Sequence, residues 1–208
     1  MKKRTLVAAF LAVFAFSACS DKSTDNAQTE GHEEHGEMSA DVPEAGKVVV
    51  DAPDYTSVAE PIQRNVSELL DEYIKLKDAM VASDAAATQT IANKMLQMAN
   101  AMPVATLQGE QKSFAEERVA EVKQSVTKIA ETNDLGKQRE NLELLSEATF
   151  ALTKAFGASD QELYYQHCPM AFNDKGAYWL STNKEIRNPY FGDKMLKCGT
   201  NEEVYSKK

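Results

Sequence analysis

The fold is decided by residues 58–82, VAEPIQRNVSELLDEYIKLKDAMVA, because apolar residues recur there every three or four positions. The recurring residues are Ile62, Val66, Leu69, Tyr73, Leu76 and Met80. This spacing places them on one face of an α-helix, which needs another apolar surface to pack against. The stretch therefore predicts an amphipathic helix that belongs to a larger helical assembly.

Three further helices follow from the same spacing, over residues 84–102, 109–132 and 136–156. Asp84 is a favourable N-cap, Pro103 ends the second helix, and Gly157 can adopt the left-handed conformation that ends the fourth. Connections of a few residues make successive helices antiparallel neighbours. The sequence thus predicts an all-α fold, an up-down four-helix bundle followed by an irregular C-terminal module that is rich in aromatic residues and contains Cys and Met.

The charge of the chain bears on its partners. Thirty-two acidic residues outnumber twenty-three Lys and Arg residues, which gives a formal net charge of −9. An acidic chain does not neutralise phosphates, so we expect no nucleic-acid partner. It also lacks the polybasic attraction to anionic lipids. Any attachment to a membrane must then be covalent or through another protein.

The first nineteen residues predict the cellular address. Lys2, Lys3 and Arg4 precede an apolar run over residues 6–16, which is shorter than the roughly 20 residues that span a bilayer. A positive start and a short apolar run are typical of a secretory signal peptide. The next residues, Phe-Ser-Ala-Cys (16–19), resemble a bacterial lipobox, although a plain signal peptide with an incidental Cys is the alternative. We predict a signal peptide over residues 1–18 and lipidation of Cys19. Ser20, where Asp would favour inner-membrane retention, favours the outer membrane of a Gram-negative cell envelope.

Residues 19–56 have the composition of a flexible acidic tether. Within it, His32 and His35 lie among three Glu residues and Met38, and such donors can collect Cu(II) or Zn(II) weakly. A solvated acidic linker is the preferred interpretation, since nothing preorganises a site in a segment of this composition.

The bundle domain is expected over residues 57–208, and its C-terminal module over 158–208 differs in composition from the helices. Eight of the sixteen aromatic residues lie between Tyr164 and Tyr205, including the only Trp. Both cysteines other than Cys19 also lie there. Pro and Gly residues interrupt the helical spacing throughout the module. We expect turns and a short hairpin around residues 177–180.

Two strings in this module contain candidate metal ligands, YQHCPM (165–170) and NPYFGDKMLKCG (188–199). Each places one thiol near one thioether, and His167 adjoins the first thiol. Thiolate and thioether are soft ligands that select Cu(I) or Ag(I) over hard cations. The candidate metal ligands are therefore Cys168, Met170, Met195, Cys198 and His167.

The alternative is a Cys168–Cys198 disulfide, because the number of cysteines without lipid is even and the periplasm is oxidising. Closing a loop of this length would stabilise the module by about 3–4 kcal/mol. An oxidised pair has no thiolate to give a metal, so the two interpretations exclude each other at any instant. The spacing of the residues leaves both open.

A family resemblance favours the metal interpretation. The strings HCPMA (167–171), GAYWLS (176–181), IRNPYFG (186–192) and MLKCG (195–199) together resemble a bacterial helical domain of unassigned biochemical function. That domain occurs alone in envelope lipoproteins and fused to periplasmic adaptor subunits of copper/silver RND efflux systems. The resemblance would cover residues 58–202, and it implies heavy-metal handling.

The sequence therefore predicts a lipid-anchored protein facing the periplasm. It would bind Cu(I) or Ag(I) as a buffer or chaperone, with copper or silver efflux components as possible partners. The alternative function is a disulfide-stapled helical module that binds another envelope protein and no metal. We do not expect an enzyme, because the chain has no Cys-x-x-Cys, no phosphate-binding Gly loop and no zincin motif.

Overall fold

The computed structural model describes residues 47–58 and 60–206. Three of the sequence-based predictions lie outside the described residues. They are the signal peptide, the lipidation of Cys19 and the histidine-containing part of the tether.

Five α-helices of five or more residues lie within the described residues, and four of them form a closed bundle. The helices are α1 (Glu60–Val81), α2 (Ala85–Ala101), α3 (Gly109–Ala130), α4 (Leu135–Arg139) and α5 (Leu142–Phe156). α1 packs against α2 and α5, and α3 packs against the same two helices from the other side. The apolar positions predicted from residues 58–82 are all buried. Across the described part of the chain, no helix combines the length and the apolar character that a membrane crossing requires.

The predicted fourth helix is divided into two. Asp134 caps α4, because its Oδ1 accepts hydrogen bonds from the backbone N–H groups of Gly136 (2.9 Å) and Lys137 (3.2 Å). α4 ends after one turn at Arg139, and a two-residue turn precedes Leu142. The side chain of Asn141 donates to the carbonyl of Lys137 at 3.0 Å and so stabilises this turn. The continuous helix over residues 136–156 was therefore a wrong prediction.

The prediction of an all-α fold is also wrong, because the C-terminal module contains a β-sheet. Its strands are β1 (Leu163–Cys168), β2 (Ala177–Ser181) and β3 (Thr200–Tyr205), arranged antiparallel in the order β2-β1-β3. Five of the six residues of β1 and four of the five of β2 are buried, so these strands show no polar–apolar alternation along the sequence. The fold is therefore mixed, a helical bundle joined to a three-stranded sheet.

The sheet packs mainly on α5, and β2 also contacts α1. The rings of Phe150 on α5 and Tyr165 on β1 stack with centroids 5.2 Å apart. Side chains of the helices accept hydrogen bonds from backbone N–H groups on the outer edge of β2. The backbone N–H of Leu180 donates to the Tyr73 hydroxyl (2.9 Å), and that of Tyr178 donates to Glu143 (3.2 Å). These bonds occupy N–H groups that an open strand edge would offer to other chains.

The last residues assigned to the tether, 47–56, lie against the domain. The backbone N–H groups of Val49 and Val50 donate to one carboxylate oxygen of Glu203 at 2.7 and 2.9 Å. The backbone N–H of Tyr55 donates to the carbonyl of Ala155 on α5 at 2.7 Å. This segment therefore approaches the bundle along β3 and α5.

Candidate functional site

The two cysteines of the module meet in space. Cys168 is the last residue of β1, the central strand, and it is fully buried. Cys198 lies two residues before β3, the strand that pairs with β1, and it is partly exposed. Because Thr200 pairs with His167 across the sheet, the chain brings Cys198 back beside the end of β1. The two Sγ atoms are 2.9 Å apart, and both cysteines are free thiols.

A buried asparagine holds the loop that carries Cys198. The Nδ2 of Asn188 donates to the carbonyl of Cys198 at 2.8 Å. Its Oδ1 accepts from the backbone N–H groups of Tyr190 (2.8 Å) and Phe191 (3.2 Å), and its own N–H donates to the carbonyl of Leu196 at 2.8 Å. An Asn side chain can mimic a backbone turn in this way. The string NPYFG is therefore the turn that positions Cys198.

The same turn packs against the helices. Gly192 has φ +57°, and a Cβ there would lie 2.7 Å from the Ser83 Oγ and 2.9 Å from the carbonyl of Val81. Arg139 donates from Nε to the carbonyl of Pro189 at 2.6 Å and from an Nη to the carbonyl of Met80 at 2.9 Å. The bundle thus fixes the position of the turn, and through it the position of Cys198.

The two candidate methionines both contact Cys198 through their backbone. Met170 is 46% exposed, and its backbone forms a hydrogen bond with the Cys198 thiol. Met195 is partly buried, and its carbonyl accepts the backbone N–H of Cys198 at 3.1 Å. Both methionines line one surface cavity of about 500 Å³, together with Arg139, Phe172, Tyr190 and Phe191 among others. The four sulfur-containing candidates are therefore brought to one region.

The wall of this cavity contains an unusual backbone turn. Phe172, Asn173 and Asp174 follow the Cys-Pro-Met string and have φ values of 51°, 58° and 63°. Non-glycine residues rarely adopt left-handed conformations, and each costs of order 1–3 kcal/mol. The Phe172 ring is held by an edge contact with Tyr190, with centroids 5.4 Å apart. The contact with Tyr190 thus anchors the first residue of a strained turn that begins four residues after Cys168.

His167 is separated from the sulfur atoms by the sheet. Successive side chains of a strand point to opposite faces, so the imidazole of His167 and the thiol of Cys168 lie on different sides. The imidazole packs against its cross-strand neighbour Tyr178, with ring centroids 4.3 Å apart. Burial lowers the pKa of His167, against the opposing effect of the Glu202 carboxylate. The structure therefore does not bring this predicted ligand to the thiol pair.

The environment favours the protonated form of Cys198. Burial, the hydrogen bond with Cys168 and the nearness of that sulfur together raise the pKa of Cys198 to about 11, although the backbone hydrogen bond of Met170 acts in the opposite sense. A thiol with such a pKa is almost wholly protonated at neutral pH. A metal ion that binds here must displace a proton.

Residues that position the site were not assigned a role from the sequence. Asn188 and Gly192 belong to a string that was singled out, and the Asn-Pro dipeptide is a turn signal. The hydrogen bond of Asn188 to Cys198 and the close approach of Gly192 to the end of α1 join separate parts of the chain, so no local pattern reveals them. Arg139 gives no signal at all, because an Arg at a helix end is usually solvated.

Comparison with known proteins assigns part of the chain. Residues 69–161 match the model of the family described as "Protein of unknown function (DUF3347)". This segment covers most of the bundle, so it fits a helical domain of unknown function. The match ends before the first Cys/Met string begins at residue 165. No curated protein and no solved structure matches the chain.

Proposed function

We propose that the protein binds Cu(I) or Ag(I) through the Cys168–Cys198 pair. The observation that carries this proposal is the 2.9 Å separation of two thiols that lie 30 positions apart in the chain. Two thiolates, together with the thioethers of two methionines whose backbone contacts Cys198, form the soft donor set that selects monovalent copper and silver. The metal is cargo here, and the protein is a binding protein rather than an enzyme.

The donor set argues against zinc. Structural zinc sites are almost always tetrahedral with four Cys, His or carboxylate ligands. Within residues 47–58 and 60–206, no group of three or more His, Cys, Asp or Glu side chains converges to hold a metal. Two cysteines and the thioethers at the cavity therefore suit a soft monovalent ion better. Of the predicted ligands, we retain Cys168 and Cys198 as primary, with Met170 and Met195 as secondary.

Loading requires the two sulfurs to separate. Metal–thiolate bonds of about 2.3 Å, as found in zinc sites, would hold two sulfurs about 4 Å apart or more. The Cys198 side chain is the one that can rotate away, because the residue is partly exposed, while its backbone stays held by Asn188. Cys168 is fixed in the central strand. Met170, which is 46% exposed, can then turn its thioether toward the ion.

We further propose that the protein acts in the cell envelope as a metal buffer or chaperone for heavy-metal efflux. The Cys19 lipobox supports a lipid anchor, and the Cys-Pro-Met resemblance supports efflux components as partners. Cys19→Ala should move the protein from the membrane fraction to the soluble periplasm, since the lipid would be its only membrane attachment. Membrane fractionation that survives high-salt washing of the Cys19→Ala protein would refute the anchor.

The metal site is tested by anaerobic titration of reduced protein against a colorimetric Cu(I) chelator. The full chain carries Cys19→Ala, so that Cys168 and Cys198 are its only thiols. The parent should remove one Cu(I) per chain from the chelator, and the Cys168→Ser/Cys198→Ser variant should not. Met170→Leu should weaken binding less than either single Cys→Ser change, because thiolates are charged and softer donors.

His167→Ala is the matched control for this titration, because it removes a candidate ligand on the opposite face of the sheet. Its binding curve should equal that of the parent. Identical curves for the parent and the double cysteine variant would reject the site.

The same separation supports the disulfide alternative, since the Sγ atoms need to approach by less than 1 Å to bond. In that case the protein is a stapled module that recognises another envelope protein. Thiol counting on protein purified without reductant separates the two. Two free thiols support metal binding, and none supports the staple.

A further inference from the structure

The two thiols of the pair differ in access to solvent. Cys168 is fully buried at the end of the central strand, whereas Cys198 is partly exposed in the loop before β3. Of the two residues, Cys198 is therefore the one that a thiol or disulfide compound from solution can reach in the folded protein. The Sγ of Cys168 lies 2.9 Å from the Sγ of Cys198. Attack on a disulfide sulfur depends on access and on which sulfur is reached.

We propose that the pair exchanges disulfide bonds with small disulfide compounds in solution, with Cys198 as the exchanging thiol and Cys168 as the resolving thiol. In the first step, Cys198 loses its proton, and the resulting thiolate attacks one sulfur of an external disulfide X–S–S–X. A mixed disulfide forms on Cys198, and one X–SH leaves with the proton that Cys198 gives up. In the second step, Cys168 attacks the Cys198 sulfur. The internal disulfide forms and the second X–SH leaves. The external disulfide is the oxidant, and it gains the two electrons that the dithiol loses.

The fold supports this order of events in both directions. Asn188 holds the Cys198 backbone and the Met170 backbone holds its sulfur, so the mixed disulfide would form within reach of Cys168. In reverse, an external thiol would reach the internal disulfide at the Cys198 sulfur and release Cys168 as the leaving group. The exchange needs no metal. Its consequence for metal, that oxidation closes the site to Cu(I), rests on the proposed function.

The test uses glutathione disulfide as the probe, on the metal-free full chain carrying Cys19→Ala. Single variants Cys168→Ser and Cys198→Ser are compared at the same pH, with the adducts followed by mass spectrometry. Cys168→Ser should accumulate a stable glutathione adduct, and Cys198→Ser should react at least tenfold more slowly. Unfolding both variants in guanidinium should make their rates equal, because only the fold protects Cys168. Equal rates in the folded variants would overturn the proposal.

A second measurement keeps the test valid if either variant fails to fold. The reaction of the protein with both cysteines is quenched with acid at early times, and the modified cysteine is identified by peptide mapping. A transient adduct on Cys198 that gives way to the internal disulfide, with two glutathiones released per chain, is expected. An adduct on Cys168, or two stable adducts per chain, would overturn the proposal. Since no metal is present, the result is independent of the Cu(I) titration.

Discussion

The helical bundle and the C-terminal sheet share one apolar core, but they differ in how much they also depend on single polar side chains. In the bundle, apolar side chains at helical spacing fill the core, as along α1 and α5. In the sheet module, single polar side chains join distant parts of the chain. Asn188 joins the turn to Cys198, and Tyr73 joins α1 to β2. Many residues contribute to the apolar packing, whereas each polar hydrogen bond holds one particular position of the chain in place.

This difference places the candidate site in the part of the molecule that depends on single residues. The bundle supplies a rigid support, through α5 under the sheet and Arg139 under the turn. The polar bonds then fix where the two thiols lie. Substitutions in the bundle core should lower the free energy of unfolding. Substitutions that remove the polar bonds should lower it too, and they should also change the reactivity of the two thiols.

The largest effect is expected from the bundle core. Leu145→Ala removes a fully buried side chain of α5 and should destabilise the protein by about 2–5 kcal/mol. Leu144→Ala, at the partly exposed neighbouring position, is the matched control and should cost clearly less. Chemical denaturation followed by circular dichroism measures both. Equal losses of unfolding free energy in the two variants would show that the stability of the bundle does not depend on the buried face of α5.

A smaller loss with a local consequence is expected from Asn188→Ala. The change leaves the carbonyl of Cys198 and the N–H groups of Tyr190 and Phe191 without their partner, at a cost of about 2–3 kcal/mol. It should also increase the reactivity of Cys198 toward a thiol reagent. Asn93→Ala, at an exposed site on α2, should do neither. Unchanged thiol reactivity in Asn188→Ala would mean that the turn does not position Cys198.

The smallest effect concerns an ion pair on the bundle. Burial acts to raise the pKa of Glu72, but hydrogen bonds from Lys75 and Lys94 outweigh it and hold that pKa below its usual value. A carboxyl with a lowered pKa in the folded state gives stability that is present above its unfolded pKa and is lost as the pH falls through the folded value. Glu72→Gln should therefore reduce stability at pH 7, by less than about 1 kcal/mol, and leave it unchanged in strong acid.

Denaturation of the parent and Glu72→Gln at pH 7 and in acid measures this difference. Glu68→Gln, at an exposed position of α1, is the control and should show no such dependence. A Glu72→Gln difference that persists in acid would assign the effect to packing instead of charge.

The bundle could be predicted from the sequence because its signal is local. Apolar spacing identified α1, α2 and α3 with ends within about two residues, since each helix buries one face. The division at Glu140 and Asn141 was missed, because neither residue breaks a helix and the turn depends on side-chain bonds.

Of the sheet, only a short hairpin around residues 177–180 was predicted, because β1 and β2 are buried on both faces and show no polar–apolar alternation in the sequence. One signal did exist. The sequence of α5, LELLSEATFALTKAF, is apolar on nearly all sides, and a helix of that kind needs cover from more than its bundle neighbours. Tyr165 and the sheet supply that cover. Once β1 is assigned, the alternation of side chains along a strand is enough to place His167 and Cys168 on opposite faces of the sheet.

The central claim is that the thiols of Cys168 and Cys198 meet in order to hold a soft metal ion. Its most direct test is the intact mass of the native protein, isolated anaerobically and without reductant from the envelope of cells grown with copper. The account predicts one copper per chain under native conditions, and two free thiols after the metal is removed in acid. A chain without copper, with a mass two hydrogens below that of the dithiol form, would contradict it.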